Sequence, residues 1–546
     1  MYQKRDFEIL PISALEKVRG HVRPQLFENE NSALFGERCG FQVAFRCVGY
    51  GTFDISYRLD GVAKENADVY VVREVPCTYP VAACSDDYVL TDEACVMPDV
   101  LMPISASGIV ARDGYWQSVY VCLHGLKAGK YELTFSLFNG KKELLGSVRY
   151  TLQVLEKPLP KSDLICSYWL HYDSLADYYR LPLFGEKYNA ILKSFLCDAV
   201  AHGLTMLLTP LFTPPLDTEI GKERMTVQLV GVEKDGDTYR FDFTKLGWFM
   251  RFAQECGVQR FEMSHLFTQW GAKCAPKIVA TVNGEEKKIF GWETDSLSDE
   301  YTSFLGAFLP ALRAWLVENG YYSRCCFHLS DEPNENTLEH YKACASVVKK
   351  YLYDAQFADA MSHVEYVEEG LLDMPFVATS ATEAFIEKGI KDYYVYYCTT
   401  QRDKFLSNRF LSMPLERTRV LGIQMYQNDV RGFLHWGYNY YYSFLSRQKV
   451  DPFATTDCMG RYQSGDSFIV YPGEDGVLGS IRNEAFYQGL QDYCALKALE
   501  EKLGREAVCA FLEENGVAKN FQDYPKSAGW LLALRKEINR KIEALS

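Results

Sequence analysis

Arg324-Cys325-Cys326-Phe327-His328-Leu329-Ser330-Asp331-Glu332-Pro333 reads as a short buried strand that ends in two adjacent carboxylates and is stopped by a proline. A strand that ends in acids and then enters a loop is where barrel enzymes keep their chemistry. One acid to protonate a leaving group and one to steer or stabilise is the minimum equipment of a glycosidase.

Outward from this stretch, short apolar runs alternate with long helical patterns. The runs Leu164–Leu170, Thr205–Leu208, Gln259–His265, Cys325–Ser330, Gln356–Met361, Phe376–Thr379, Tyr393–Cys398 and Gly432–Tyr438 read as strands. Lys187–Ala201, Phe243–Cys256 and Leu338–Tyr351 read as helices between them, and Ser480–Leu503 as the last. Eight strands with intervening helices fit a (β/α)8 barrel over residues 163–503. A doubly wound sheet that binds dinucleotides carries a Gly-rich turn after its first strand, and nothing after Leu170 has that form. A hairpin-like insertion, Gly465–Gly476, precedes the last helix, and residues 504–546 read as a C-terminal helix-turn-helix extension packed outside the barrel.

Residues 1–155 have a different period. Phe41–Cys47 and Phe53–Leu59 alternate apolar and polar residues, and Val119–Leu123 continues the strand-like pattern. Tyr131–Phe138 turns at Asn139-Gly140 into Leu144–Val154, a strong hairpin signal. Several short strands with turn residues between them indicate an all-β sandwich. Glu156-Lys157-Pro158-Leu159-Pro160-Lys161 is the linker between the two patterns. The chain is therefore multidomain.

The 546 residues include 58 Lys and Arg against 72 Asp and Glu, a formal charge of −14. An acidic surface repels phosphate backbones, so nucleic acid is not an expected partner. No stretch approaches the roughly 20 apolar residues of a membrane span. Met1–Pro11 is charged at Lys4, Arg5, Asp6 and Glu8 and lacks a signal-like apolar core, which gives a cytoplasmic expectation. The 17 cysteines are odd in number, scattered and flanked by apolar residues, as buried free thiols of a reducing compartment are.

In a barrel the strand ends converge on one mouth. Those ends supply Trp169 and His171, then His265 and Trp270, then Asp331 and Glu332, then Tyr396, and finally Trp436, Tyr438 and Asn439, with Asp466 from the insertion. The set is polar and aromatic with few basic residues, which suits a neutral sugar better than a phosphate. Packing is the plainer role for the aromatic residues, and helix capping the plainer role for Asp331. His265 and His363 have no partner at metal-binding spacing, so a hydrogen-bonding or core role is expected; no metal or cofactor is implied. Successive strand residues point to opposite sides, so Asp331 and Glu332 cannot both face one substrate atom unless the backbone turns after the strand. A pair that acts from neighbouring positions lacks the opposed geometry of an ordinary retaining glycosidase. A 2-acetamido sugar, whose carbonyl oxygen is its own nucleophile, would complete the chemistry.

The run His328-Leu329-Ser330-Asp331-Glu332-Pro333 resembles the acidic motif of glycoside hydrolase family 123, the DUF4091 group. The resemblance continues in order through Gly432–Asn439, Gly465–Gly473, Ser480–Glu484 and Gly489–Tyr493, with Pro98–Pro103 near the amino terminus. It implies a β-sandwich followed by a catalytic barrel, and an exo-acting β-N-acetylgalactosaminidase with substrate-assisted retention. Asp331 would then orient the acetamide, and Glu332 would be the general acid/base. Two alternatives stand beside it. One is a glycosidase of a non-acetamido sugar that uses Asp466 or Glu262 as nucleophile. The other is a non-catalytic carbohydrate-binding protein on the same fold.

Overall fold

The computed structural model describes residues 6–27, 30–82 and 85–545; the amino-terminal charges Lys4 and Arg5 lie outside them. The amino-terminal part is rich in sheet. One five-stranded sheet runs in the order Asp6–Ser13, Cys39–Val48, Gln117–Leu123, Ala67–Cys77, Cys95–Pro103. A second runs Glu30–Phe35, Leu144–Pro158, Gly129–Asn139, Phe53–Asp60, Ile109–Ala111. The period-two pattern places Phe41, Val43 and Phe45 of the first sheet in one apolar cluster with Leu133, Phe135 and Leu137 of the second. The hairpin after Asn139 is longer than an Asn-Gly two-residue turn. The Asn139 side chain accepts from the Lys141 and Glu143 amides, and Lys142 takes the left-handed conformation, φ +63°.

Eight parallel strands then close a barrel: β1 (Ile165–Tyr168), β2 (Met206–Thr209), β3 (Arg260–Met263), β4 (Cys325–His328), β5 (Gln356–Met361), β6 (Met374–Ala378), β7 (Tyr394–Tyr396) and β8 (Gly432–His435). β8 pairs with β1 to complete the ring. Alternation fills the interior with Met206, Leu208, Cys326, Ala358, Ala360, Phe376 and Tyr394. Several strands end earlier than their apolar runs, because the chain leaves the ladder to build the mouth. Helices Glu186–Ala201, Thr244–Glu255, Leu338–Lys349 and Ile481–Leu503 lie where the 3.6-residue pattern places them. Ser480 caps the last of these by accepting from the Asn483 amide, and Gly504, at φ +78°, ends it.

One feature is absent from the sequence reading. The loops after β2 and β3 combine into a four-stranded sheet, ordered Thr238–Asp242, Gly231–Asp235, Ile278–Val282, Glu285–Phe290. The expected insertion hairpin is reduced to Tyr471–Pro472 paired with Val477–Leu478. The carboxyl-terminal helices, Arg505–Glu514 and Ala528–Ala544, pack against the last barrel helix, and the second also reaches back to the amino-terminal region. Arg535 pairs with Glu37 at 2.6 Å and with Asp492 at 3.0 Å. Among the described residues no helix is long and apolar enough to cross a membrane.

Candidate active site

One cavity of about 120 Å³ lies at the carboxyl-terminal mouth of the barrel. Its acids are Asp331 and Glu332 after β4, Asp217 on the loop after β2, and Asp466 on the loop after β8. Its rings are Trp169, Trp270, Tyr396, Trp436 and Tyr462. Among the described residues no lysine, arginine or histidine lines it.

The carboxylate pair is delivered by a break in the strand. β4 ends at His328, and Glu332 adopts φ +42°, a left-handed conformation unusual for a residue with a Cβ. The surrounding loops hold this turn. The Trp270 amide donates to the Asp331 carbonyl at 2.8 Å, and the Glu332 amide donates to the Ala360 carbonyl at 3.1 Å. The turn brings two chain neighbours into the same cavity. Asp331 caps no helix; Asn334 does so, in a reciprocal arrangement with Thr337.

Both carboxyls titrate above the ordinary range. Burial, then the like charges of Glu332 and Asp217, push Asp331 well up. Burial raises Glu332, and the Tyr396 hydroxyl, which donates to Glu332 Oε1 at 2.8 Å, opposes that rise. Asp466 is pushed up to about 7 by burial, against the opposing charge of Arg409 and a 3.2 Å bond from Trp436 Nε1.

Beneath the pair, His328 is fully buried between two acids. Its Nε2 meets Glu262, and its Nδ1 lies 2.7 Å from Asp359 Oδ1. Burial alone would depress this imidazole; Glu262 and Asp359 outweigh burial and raise it to about 10. Asp359 Oδ2 also accepts the Ser330 amide at 3.1 Å, so the imidazolium and its acids fix the backbone just before Asp331. Glu262 is saturated by His328, Ser167 and the indole N–H of Trp169. It is therefore withdrawn from the cavity and unavailable as a nucleophile.

The model of the glycoside hydrolase 123 catalytic domain matches residues 169–499. The chain belongs to glycoside hydrolase family 123. A solved family 123 glycoside hydrolase from Clostridium perfringens, described in connection with glycolipid glycan hydrolysis, superposes with a TM-score of 0.74 at 15% identity. The match covers 99% of this chain and 98% of that one. A Parabacteroides merdae β-glucuronidase matches far more loosely, with a TM-score of 0.30 at 8% identity over 90% of this chain and 52% of its own. No curated protein matches the sequence.

In this family 123 barrel, Trp169, Trp270, Asp331, Glu332, Tyr396, Trp436 and Asp466 share the cavity. Four other expected site residues lie outside its lining. His171 sits behind Trp436, with Nε2 2.9 Å from the Trp436 carbonyl and Nδ1 3.2 Å from an Arg224 nitrogen. His265 is buried below the mouth, stacked on His328 at 4.3 Å and edge-on to Trp169. Tyr438 leaves the barrel because it lies beyond the end of β8 at His435, where the chain bends away from the ladder. Its hydroxyl donates to Asp198 at 2.6 Å on the helical layer, and its ring packs on Tyr168. Asn439 clamps the His171 backbone, accepting its amide at 2.9 Å and donating to its carbonyl at 3.1 Å. His265, His328 and Asp359 are close enough to suggest a metal cluster. The parallel stacking of the two imidazoles, 24° between planes, aims their in-plane lone pairs past any common ion.

Asp217, Cys398, Thr399, Thr400 and Tyr462 also line the cavity and escaped the sequence reading. Asp217 had one signal, a carboxylate directly after the stiff run Thr213-Pro214-Pro215-Leu216 at the mouth end of β2.

Proposed function

We propose that this family 123 glycoside hydrolase is an exo-acting β-N-acetylhexosaminidase that prefers galactosamine and works by substrate-assisted retention. The observation that carries this is the left-handed Glu332, which turns two adjacent carboxyls into one cavity from the same strand end. An ordinary retaining pair faces the anomeric carbon from opposite sides, about 5 Å apart and usually from different strands. Chain neighbours serve one side of the sugar, which fits a nucleophile supplied by the substrate.

In this mechanism the acetamide carbonyl oxygen attacks the anomeric carbon. Glu332 gives its proton to the glycosidic oxygen, and the aglycone leaves as an alcohol. Asp331 accepts the acetamide N–H and so orients it, and the positive charge of the cyclic oxazolinium favours its carboxylate form, against the burial and neighbouring carboxyls that raise it. Glu332, now ionised, takes a proton from water as the water oxygen attacks the same carbon and opens the ring with retention. Burial suits Glu332 to the first step, because it raises the pKa and so favours the protonated form that the step consumes. The rings of Trp169, Trp270 and Trp436 supply flat apolar walls for a sugar face. The cavity is smaller than the 300–1,000 Å³ typical of sites for drug-sized ligands, which favours a single terminal ring. The β-sandwich character of the two amino-terminal sheets and a cytoplasmic location belong to the same proposal.

The test is turnover of an aryl β-N-acetylgalactosaminide. Glu332→Gln is expected to lower kcat by about 10²–10⁴, Asp331→Asn to cripple it, and a thiazoline mimic of the cyclised acetamide to inhibit the wild type. Full activity in Glu332→Gln would sink the assignment. Asp466 in the cavity favours one competing reading, a double displacement on a sugar without an acetamide. Turnover of such a sugar, insensitive to the thiazoline, would select it.

A further inference from the structure

Asp217 is a cavity carboxyl that the proposed mechanism leaves unused. Its backbone is left-handed, φ +47°, a conformation that persists only where the surroundings hold it. Three neighbours do so. Gln269 Oε1 accepts its amide at 2.8 Å, while Ser446 Oγ at 2.7 Å and the Tyr440 hydroxyl at 3.3 Å donate to its carbonyl. Gln269 belongs to the loop that carries Trp270, and Tyr440 and Ser446 to the segment after β8, so loops from two other strand ends fix this one residue. The carboxyl has no hydrogen-bond partner among the described residues, although it lines the cavity. Arg224, the guanidinium on this side, is turned to Asp173 through two bonds of 2.7 Å. Burial pushes Asp217 up to about 7; Arg224 opposes the rise and Glu332 adds to it.

We propose that Asp217 is a substrate-binding residue that accepts a hydrogen bond from one ring hydroxyl of the terminal sugar, so that the enzyme requires that hydroxyl free. This rests on the cavity being the glycosidase site. A carboxyl locked in place by its backbone, with open acceptor positions, matches an O–H donor. A ring deoxygenated there loses the bond. A ring sulfated there sets an anion among Asp217, Asp331 and Asp466, with no basic side chain among the described residues lining the cavity to receive it.

The experiment compares wild type, Asp217→Ala and the isosteric Asp217→Asn on an aryl β-N-acetylgalactosaminide and its 3-, 4- and 6-deoxy analogues, after circular dichroism shows native folding. Asp217→Ala is expected to raise KM about ten-fold or more while kcat changes less, the loss of one buried hydrogen bond. One deoxy analogue should bind about ten-fold worse than the parent sugar in wild type, yet no worse than it in Asp217→Ala. Additive losses for all three analogues, or an unchanged KM, overturn the proposal. So does a kcat loss near 10⁴ with rescue by azide, which would make Asp217 a nucleophile. The same cycle is read in Kd by titration calorimetry with the free sugars. Coupling there without hydrolysis by wild type removes the glycosidase reading and keeps the ligand role; hydrolysis without coupling removes only the ligand role.

Discussion

Glu332 bears two opposed influences. Burial favours its protonated form, and the Tyr396 hydroxyl favours its carboxylate by donating to it. Tyr396→Phe removes the donor and leaves the ring. The Glu332 pKa should then rise, so the acid form should survive to higher pH. The alkaline limb of the kcat/KM–pH profile is expected to move upward; a limb that stays in place or moves downward means that Glu332 is not the group it reports. The need for such a turned residue was legible beforehand, because strict alternation cannot put Asp331 and Glu332 into one cavity. The positions of His265, Tyr438 and Asn439 were not. Each follows a strand whose ladder stops several residues earlier, at Met263 and His435, and beyond that point alternation no longer says which way a side chain faces. Asp217 was illegible for the same reason, with seven residues of loop between the end of β2 and its carboxyl.

Among the elements, β3, β4 and β5 are joined inside the barrel by Glu262, His328 and Asp359, one residue from each. The folded pKa of His328, about 10, lies above its ordinary 6.5. Its protonated form therefore stabilises the barrel fully below about pH 6.5, and that contribution is lost as pH rises through 10. His328→Gln leaves two buried carboxyls without their cation and should cost about 3–5 kcal/mol in denaturant unfolding near neutral pH. The difference from wild type should shrink toward pH 10; a pH-independent difference would mean that His328 is neutral in the fold. At this scale the sequence was most readable. Strands buried on both faces show as short apolar runs, and the long helices show their period. The four-stranded sheet from the loops after β2 and β3 was not readable. Its strands are short, and Glu285–Phe290 is mostly charged and exposed, so no burial pattern marks it.

Over the whole molecule, one ion pair ties the amino-terminal sheets to the loop that carries Asp466. Arg482, fully buried at the start of the last barrel helix, uses every N–H it has. Nε and Nη2 grip Asp99 of the strand Cys95–Pro103 at 2.9 and 2.8 Å, and Nη2 also reaches the Phe468 carbonyl. Nη1 holds the carbonyls of Arg409 and Gly465, the latter at 2.6 Å and next to Asp466. Tyr471 completes Asp99 with a hydroxyl at 2.6 Å. The motif segments Pro98–Pro103, Gly465–Gly473 and Ser480–Glu484, far apart in sequence, thus meet at this single arginine. Breaking a buried pair from one side leaves an uncompensated charge, so Asp99→Ala should lose about 3–5 kcal/mol of stability, and Asp99→Asn, which keeps one acceptor, less. Asp99 does not line the cavity, yet freeing Arg482 should loosen Gly465 and with it the Asp466–Trp436 wall. The expected result is a lower thermal midpoint together with a lower kcat/KM, measured well below that midpoint. Stability lost with kcat/KM intact would confine the pair to holding the two regions together, and stability unchanged would refute the tie itself.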